Sequence, residues 1–158
     1  DVKILDTRKT TPGLRLFEKY AIAIGGAYNH RLNLSEGILI KDNHISSAGS
    51  VSNALKTMKR SNLHLPVELE VENFDQIGEA LIIGVDGFLL DNMSPDSIKE
   101  AVSIIRNSER GEDIFIEASG GITAKNIVSY LDTGIDAISI GAMTHSATNK
   151  DIRLEFIS

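Results

Sequence analysis

The chain has 158 residues and a hydrophobic fraction of 42%, which is enough for one domain with a sizeable core. Its net charge of −6 and its lack of tryptophan argue against a nucleic-acid-binding surface, and the lack of cysteine excludes disulfides, thiol nucleophiles and thiolate zinc sites. No apolar run approaches the ~18 residues of a membrane helix and no signal-peptide pattern is visible, so we expect a cytoplasmic protein with no membrane partner.

Taken in chain order, short apolar and β-branched segments alternate with helical patterns. These segments predict six strands, over residues 2–5, 38–40, 67–71, 88–90, 114–116 and 137–140. Helices are predicted from Thr11-Pro12 to Gly25-Gly26, over 47–59 and 73–83, from Ser94-Pro95-Asp96 onward, and between Thr123 and Gly134. The alternation predicts a parallel sheet with helices packed outside it.

Nearly every polar cluster of the sequence follows one of the predicted strands, where the loops of α/β folds converge on their sites. In an open doubly wound sheet only the loops at the switch point meet, whereas here all six strand ends carry polar groups. A closed or nearly closed barrel therefore fits better. Six units in 158 residues are fewer than the eight units and ~250 residues of a complete barrel. We expect either a reduced barrel or part of a longer protein.

Cations crowd the first third of the chain. Each of them alone is typical of a protein surface, but six cations on neighbouring barrel loops would repel one another without a counter-anion. A planar dicarboxylate or a diphosphate would meet that need, with arginine supplying bidentate contacts. The histidines fit no metal-ligand spacing, so we expect no zinc site. The six residues are Arg8, Lys9, His30, Arg31, Lys41 and His44.

Carboxylates end the third and fourth predicted strands. Residues 67–72 alternate valine or leucine with glutamate, so one face packs against helices and the acids point the other way. On an exposed sheet edge that pattern is simply a solvated face; inside a barrel the acids need cations or a metal. We expect Glu70 to be functional and to share a Mg²⁺ ion with Asp91, since Mg²⁺ takes one or two carboxylates together with substrate phosphates.

Glycine turns follow the last two strands. Ser119-Gly120-Gly121 precedes a predicted helix and Gly141-Ala142 follows the sixth strand. Backbone N–H groups in such turns form the usual phosphate site of barrel enzymes. One glycine pair is weak evidence, but two in consecutive units are moderately specific. No nucleophilic triad is visible, so the predicted site binds charged groups and stabilises developing charge.

These motifs together resemble the C-terminal domain of the quinolinate phosphoribosyltransferase family. The resemblance covers essentially the whole chain, and its first and third motifs are highly specific. It implies a six-stranded incomplete α/β barrel in a homodimer, in some members a hexamer. It also implies the conversion of quinolinate and phosphoribosyl pyrophosphate, with Mg²⁺, to nicotinate mononucleotide, pyrophosphate and CO₂ in NAD biosynthesis. The motifs are Leu5 through Arg15, Asn29-His30-Arg31, Ile40 through His44, Glu68 through Glu72, Leu90-Asp91-Asn92, Glu117 through Ile122 and Gly141 through Ser146.

Carried over motif by motif, the resemblance implies a role for each cluster. Arg8, His30, Arg31 and Lys41 would hold the quinolinate carboxylates, and Lys9 would lie near the pyrophosphate and the reacting centre. Glu70 and Asp91 would bind Mg²⁺ and the ribose hydroxyls. The 5′-phosphate would be held by Ser119, Gly120, Gly121, Gly141 and His145.

The sequence departs from the family pattern in two places. A family glycine triplet reads Gly25-Gly26-Ala27 here, and the chain starts at the first barrel strand, without the family's N-terminal α/β domain, which supplies an arginine to the partner subunit's site. Residues 1–158 are therefore expected to be the catalytic domain of a longer protein. Three alternatives stay open: the paralogous ModD-like group linked to molybdate transport, a sugar-phosphate aldolase or isomerase with Lys41 as its Schiff-base lysine, and an inactive barrel fragment that only binds anions.

Overall fold

A computed structural model describes residues 1–61 and 63–157 and contains one six-stranded sheet. All five pairings between neighbouring strands are parallel, and the strand order is β1-β6-β5-β4-β3-β2. The strands are β1 Lys3–Leu5, β2 Ile38–Ile40, β3 Val67–Val71, β4 Gly87–Asp91, β5 Phe115–Ser119 and β6 Ala137–Ser139. The predicted parallel α/β architecture is confirmed.

The sheet curls into a barrel that is not closed. β2 to β6 follow one another in chain order, and β1 adds on beyond β6, so β1 and β2 are the two edges. Leu5 of β1 pairs on its free side only with Tyr28, through an isolated bridge. The seam between β1 and β2 thus makes this an incomplete barrel, as predicted.

The helices occupy the intervals between the strands. They are α1 Arg15–Ile24, α2 Asp42–Ala48, α3 Val51–Arg60, α4 Phe74–Ile83, α5 Pro95–Arg106 and α6 Ala142–His145, with two 3₁₀ turns at Gly111–Asp113 and Ile127–Tyr130. Asn73 and Ser94 cap α4 and α5 through their side chains. Among the described residues, every helix is too short or too polar to cross a membrane.

Three helix predictions were wrong in detail. The segment 47–59 is not one helix, because Gly49 adopts a left-handed φ of 83° that ends α2 and Ser50 then caps α3. Thr11 caps no helix: residues 11–14 form a turn and α1 begins only at Arg15. Between Thr123 and Gly134 the chain forms only a 3₁₀ turn, because the Asn126 side chain bonds the Thr123 amide and the Gly121 carbonyl in a tight loop.

The hydrophobic core lies between the sheet and the helices. On β3, Leu69 and Val71 are fully buried on the helix side. Glu68 and Glu70 alternate with them and therefore face the barrel interior. The same alternation places Leu89 and Glu117 inside. The packing of the apolar face fixes the strand register, and that register sets which polar side chains meet inside the barrel.

Candidate active site

A cavity of about 280 Å³ lies inside the barrel at the carboxyl ends of the strands. It brings together six of the predicted site residues, which come from the end of β5 and from the segments that follow β1, α1 and β2. Its lining consists of Thr7, Arg8, Lys9, His30, Arg31, Leu39, Lys41, Leu89, Glu117, Ser119 and Ser139. The four residues predicted to hold a dicarboxylate therefore share one cavity with Lys9.

A buried ion pair positions the Asn29-His30-Arg31 loop. Lys19 Nζ lies 2.6 Å from Asp6 Oδ1, with side chains 5% and 0% exposed, and also donates to the His30 carbonyl at 2.8 Å. The same Asp6 oxygen accepts the His30 amide at 2.7 Å. With the Asn29 amide turned so that both of its polar atoms are satisfied, its nitrogen donates to Asp6 Oδ2. Sequence reasoning assigned no role to Asp6 or Lys19, because α1 also carries Arg15 and Glu18 and nothing in its sequence marks Lys19 as the buried charge.

Two arginines provide the positive potential of the cavity. Arg31 donates to the Gly37 carbonyl at 2.7 Å, which fixes its guanidinium in place. Burial and then the neighbouring Arg8 lower the pKa of Arg31. The buried Nε of Arg8 has no hydrogen-bond partner among the described residues. An unpaired buried donor beside a second guanidinium is suited to bind an anion.

Lys41 and Glu70 form an ion pair across β2 and β3. The pairing means that the Lys41 amine is not free, which does not favour the Schiff-base alternative. His44, which belonged to the predicted cationic set, is exposed, and its Nδ1 accepts the Lys41 amide at 2.9 Å. His44 therefore closes the first turn of α2 and does not line the cavity.

The two predicted metal ligands face the same side of the sheet. Glu70 is in register with Leu89, which lines the cavity, and Asp91 lies two residues beyond Leu89 on the same face of β4. Asp91 accepts a hydrogen bond from the Asn92 side chain at 2.6 Å. Two carboxylates on adjacent strands at the mouth of an anion site fit the oxygen ligands that Mg²⁺ takes in the presence of a phosphorylated substrate.

The glycine turns are tightly built. The Asn92 amide donates to the Ser119 carbonyl at 2.9 Å, and a Cβ atom at Gly120 would lie 2.3 Å from Asn92 Oδ1, at a φ of +89°. Only glycine fits there. A Cβ atom at Gly141 would lie 3.0 Å from His145 Nε2, and the Thr144 hydroxyl donates to the Lys9 carbonyl at 2.7 Å. The two turns and the Lys9 loop thus lie side by side.

His30, Glu68 and Glu117 form a cluster at the bottom of the cavity that the sequence did not reveal. His30 Nε2 lies 3.4 Å from Glu117 Oε2 and 3.6 Å from Glu68 Oε2. The carboxyl group of Glu117 and then that of Glu68, both close to Nε2, raise the pKa of His30 to about 9, and burial raises the pKa of Glu68. Opposing this, Nδ1 accepts the Arg31 amide at 2.7 Å, which it can do only when unprotonated. That short hydrogen bond defines the state seen here: the ring proton is on Nε2, facing the carboxylates.

A second, more open cavity of about 620 Å³ lies at the amino ends of β3, β4 and β5, next to the barrel seam. It shares His30, Arg31, Leu39 and Glu117 with the site cavity. Although larger, it lacks Arg8, Lys9, Lys41 and Ser119. We therefore place the chemistry in the smaller cavity at the carboxyl ends.

The sequence also matches known proteins along nearly its whole length. The family model described as "Quinolinate phosphoribosyl transferase, C-terminal domain" matches residues 1–155. A probable nicotinate-nucleotide pyrophosphorylase [carboxylating] of Bacillus subtilis is 43% identical over 155 residues, covering 98% of this chain and 52% of the relative. The nicotinate-nucleotide pyrophosphorylase [carboxylating] of Mycobacterium leprae is 42% identical over 153 residues, covering 97% and 53%. The chain thus spans about half the length of these relatives.

Solved structures agree with the sequence matches. The crystal structure of nicotinate-nucleotide pyrophosphorylase from Ehrlichia chaffeensis superposes with a TM-score of 0.87 at 44% identity, covering 95% of this chain and 53% of that one. A thiamine phosphate pyrophosphorylase from Pyrococcus furiosus superposes with a TM-score of 0.55 at 14% identity, covering 89% and 84%. The latter likeness concerns the fold alone.

Proposed function

Because the chain belongs to the quinolinate phosphoribosyl transferase family, of which it matches the C-terminal domain, we propose that residues 1–158 are the catalytic domain of a longer enzyme. The enzyme transfers phosphoribose from phosphoribosyl pyrophosphate to quinolinate and releases pyrophosphate and CO₂, giving nicotinate mononucleotide for NAD biosynthesis. The observation that carries the proposal is the cation-lined cavity directly beside two glycine turns.

Quinolinate is a planar ring with two adjacent carboxylates, and the cavity offers it two arginines. Arg8, through its unpartnered Nε, and Arg31, through its fixed guanidinium, would each bind one carboxylate, or the two arginines would share both carboxylates. Lys41 would add a third cation at the edge of the cavity. The His30 ring would lie beneath these cations. The Asp6–Lys19 pair would hold it there, because Lys19 and Asp6 bond the His30 carbonyl and amide.

The phosphoribosyl group would lie across the opposite side of the cavity. Backbone N–H groups at Ser119, Gly120, Gly121 and Gly141, together with His145, would bind the 5′-phosphate. Glu70 and Asp91 would hold the ribose hydroxyls and Mg²⁺. When bound, the metal would supply charge neutralisation at the leaving pyrophosphate. Lys9, exposed on the cavity rim, would do the same from the protein side.

Transfer needs no protein nucleophile. The ring-nitrogen lone pair bonds to the ribose carbon while the carbon–oxygen bond to pyrophosphate breaks, and the bonding electrons leave with pyrophosphate. The ring nitrogen is then cationic and draws the electrons left by the adjacent carboxylate as CO₂, and a proton replaces CO₂ on the ring carbon. The protein's contribution is to orient both substrates and to stabilise charge.

Assembly is proposed from the exposed face of α1. Leu16, Phe17, Tyr20 and Ile24 are each 68–72% exposed on this helix. An apolar helix face of this kind favours burial against another chain. We propose a homodimer, or a hexamer built from dimers, located in the cytoplasm. Sedimentation of the intact protein as a clean monomer would contradict it.

The function is tested by assaying the intact protein with phosphoribosyl pyrophosphate, Mg²⁺ and either quinolinate or nicotinate. We expect CO₂ release and nicotinate mononucleotide from quinolinate, and very poor turnover of nicotinate, because the cations meant for the second carboxylate stay unpaired. Equal turnover of the two acids would rule out the dicarboxylate cavity. No product from either acid would refute the proposed function.

A further inference from the structure

Glu117 has no role in the chemistry outlined so far, yet it is the most unusual side chain in the barrel. It lies on β5, is 0% exposed and lines the site cavity. Neither of its carboxyl oxygens makes a well-formed hydrogen bond with the described residues, and the nearest donor is His30 Nε2, 3.4 Å from Oε2. A buried carboxyl group without partners is destabilising, so its presence calls for a functional reason.

The cluster around Glu117 has the space that it needs. Gly87 of β4 is in register with both Glu68 and Phe115, and a Cβ atom there would lie 3.2 Å from the Phe115 carbonyl and 3.6 Å from Glu68 Cγ. Glu68 Oε1 is buried and unpartnered as well. Two carboxyl groups thus share one imidazole, and neither is satisfied by it.

The cluster carries a net negative charge. With its proton on Nε2, the imidazole is neutral and has no positive charge to set against the two carboxyl groups that it faces. The cations of Arg8, Lys9, Arg31 and Lys41 lie around the same cavity, so the cavity is positive at its rim and negative at its bottom.

A divalent metal is the alternative occupant of this cluster. One ligand atom from each of His30, Glu68 and Glu117 lies within 4.8 Å of the others. A metal at Nε2 would need a lone pair there and a proton on Nδ1. Nδ1 instead accepts the Arg31 amide at 2.7 Å, so Nε2 holds the proton. The geometry favours a proton-linked cluster over a metal centre.

We propose that Glu117, supported by Glu68 through His30, is an electrostatic residue of the transfer step: its negative charge stabilises the positive charge that develops on the pyridine nitrogen as it bonds to ribose. This rests on the proposed function. The rim cations bind the two carboxylates equally in the ground state and in the transition state. An anion at the bottom of the cavity attracts the ring only when the ring becomes cationic, which happens in the transition state. Such a differential interaction accelerates the reaction.

The first test is Glu117→Gln in the intact protein, with Asp113→Asn as a control that makes the same charge change on an exposed side chain. We expect turnover to fall about tenfold or more, with quinolinate binding equal or tighter and an unfolding temperature equal or higher. The control should match the wild type in turnover, quinolinate binding and unfolding temperature. A lower unfolding temperature, or quinolinate binding lost by the same factor as turnover, would overturn the proposal by making Glu117 a structural or binding residue.

The second test needs no variant, so it stands even if Glu117→Gln fails to fold. 1-Methylpyridinium-2,3-dicarboxylate (N-methylated quinolinate) carries the same two carboxylates on a cationic ring, and phthalate carries them on a neutral one. Wild-type protein should bind the N-methylated compound more tightly by calorimetry, and equal affinities would refute the proposal. Stoichiometric Zn²⁺ binding that Glu117→Gln abolishes would also refute it. Wild-type protein that turns over no quinolinate refutes the proposed function itself, and with it this inference.

Discussion

The buried Asp6–Lys19 pair allows a demanding prediction about the loop that forms the dicarboxylate site. Lys19→Met keeps the length and apolar stem of the side chain but removes the ammonium group that lies 2.6 Å from Asp6. Removing one partner of a buried ion pair costs about 3–5 kcal/mol, whereas an exposed pair contributes about 0–1 kcal/mol. Since both side chains are at most 5% exposed, we expect the larger cost.

Loss of the Lys19 ammonium group should also weaken the dicarboxylate site. Lys19 donates to the carbonyls of His30 and Arg31, at 2.8 and 3.3 Å, so the variant loosens the backbone that carries both side chains. We expect weaker quinolinate binding together with a lower midpoint of urea unfolding and an unchanged slope. Asp6→Asn combined with Lys19→Met should cost less than the two single changes added together, since no unpaired charge remains.

The matched control is Lys99→Met, which removes a lysine from the exposed surface of α5. It should leave both the unfolding midpoint and quinolinate affinity within experimental error of the wild type. A cost below about 1 kcal/mol for Lys19→Met would place this pair with surface salt bridges. In that case the argument that it positions the Asn29-His30-Arg31 loop fails.

Three further predictions follow from the site geometry. Arg31→Ala should weaken quinolinate binding more than Arg31→Lys in calorimetry, because lysine keeps the charge but loses the guanidinium fork; equal losses would argue against bidentate contact. Asp91→Ala and Lys9→Ala should lower turnover more than quinolinate affinity, and EDTA should abolish turnover; full activity in EDTA would contradict the Mg²⁺ assignment. Gly120→Ala should lower both stability and affinity for phosphoribosyl pyrophosphate, since its Cβ atom would lie 2.3 Å from Asn92 Oδ1 at a φ that disfavours alanine; wild-type behaviour in both assays would refute the tight-turn argument.

The number and positions of the strands were readable from the sequence because each strand is a short apolar run ending in a polar cluster. The helix boundaries were harder to predict, since a residue such as Gly49 ends a helix without interrupting the hydrophobic period on either side. Local patterns indicate which face of an element is apolar, but they do not indicate which residue adopts a left-handed φ.

The site was predicted where its residues belong to recognisable motifs, and missed where support comes from distant contacts. Glu117 stands two residues before a glycine turn, and its burial follows only from the curvature of the barrel. Sequence reasoning favoured Glu70 over Glu68, yet both acids of β3 point inward, and each has its own basic partner: Lys41 for Glu70 and His30 for Glu68. Pairings of this kind join residues about 30 positions or more apart, so no local pattern reveals them.

The position of β1 at the far edge of the sheet has a consequence for the order of folding. From β2 to β6, each strand pairs with its neighbour in the sequence, so these pairs can form by closing relatively short loops. β1 has to wait for β6, whose residues lie more than 130 positions away, and the Thr144 hydroxyl bond to the Lys9 carbonyl spans 135 positions. Contacts of such long range form late. Arg8 and Lys9 follow β1, so a nascent or partly folded domain lacks half of its anion-binding cations, and pulse-labelled exchange should show the β1 amides gaining protection last.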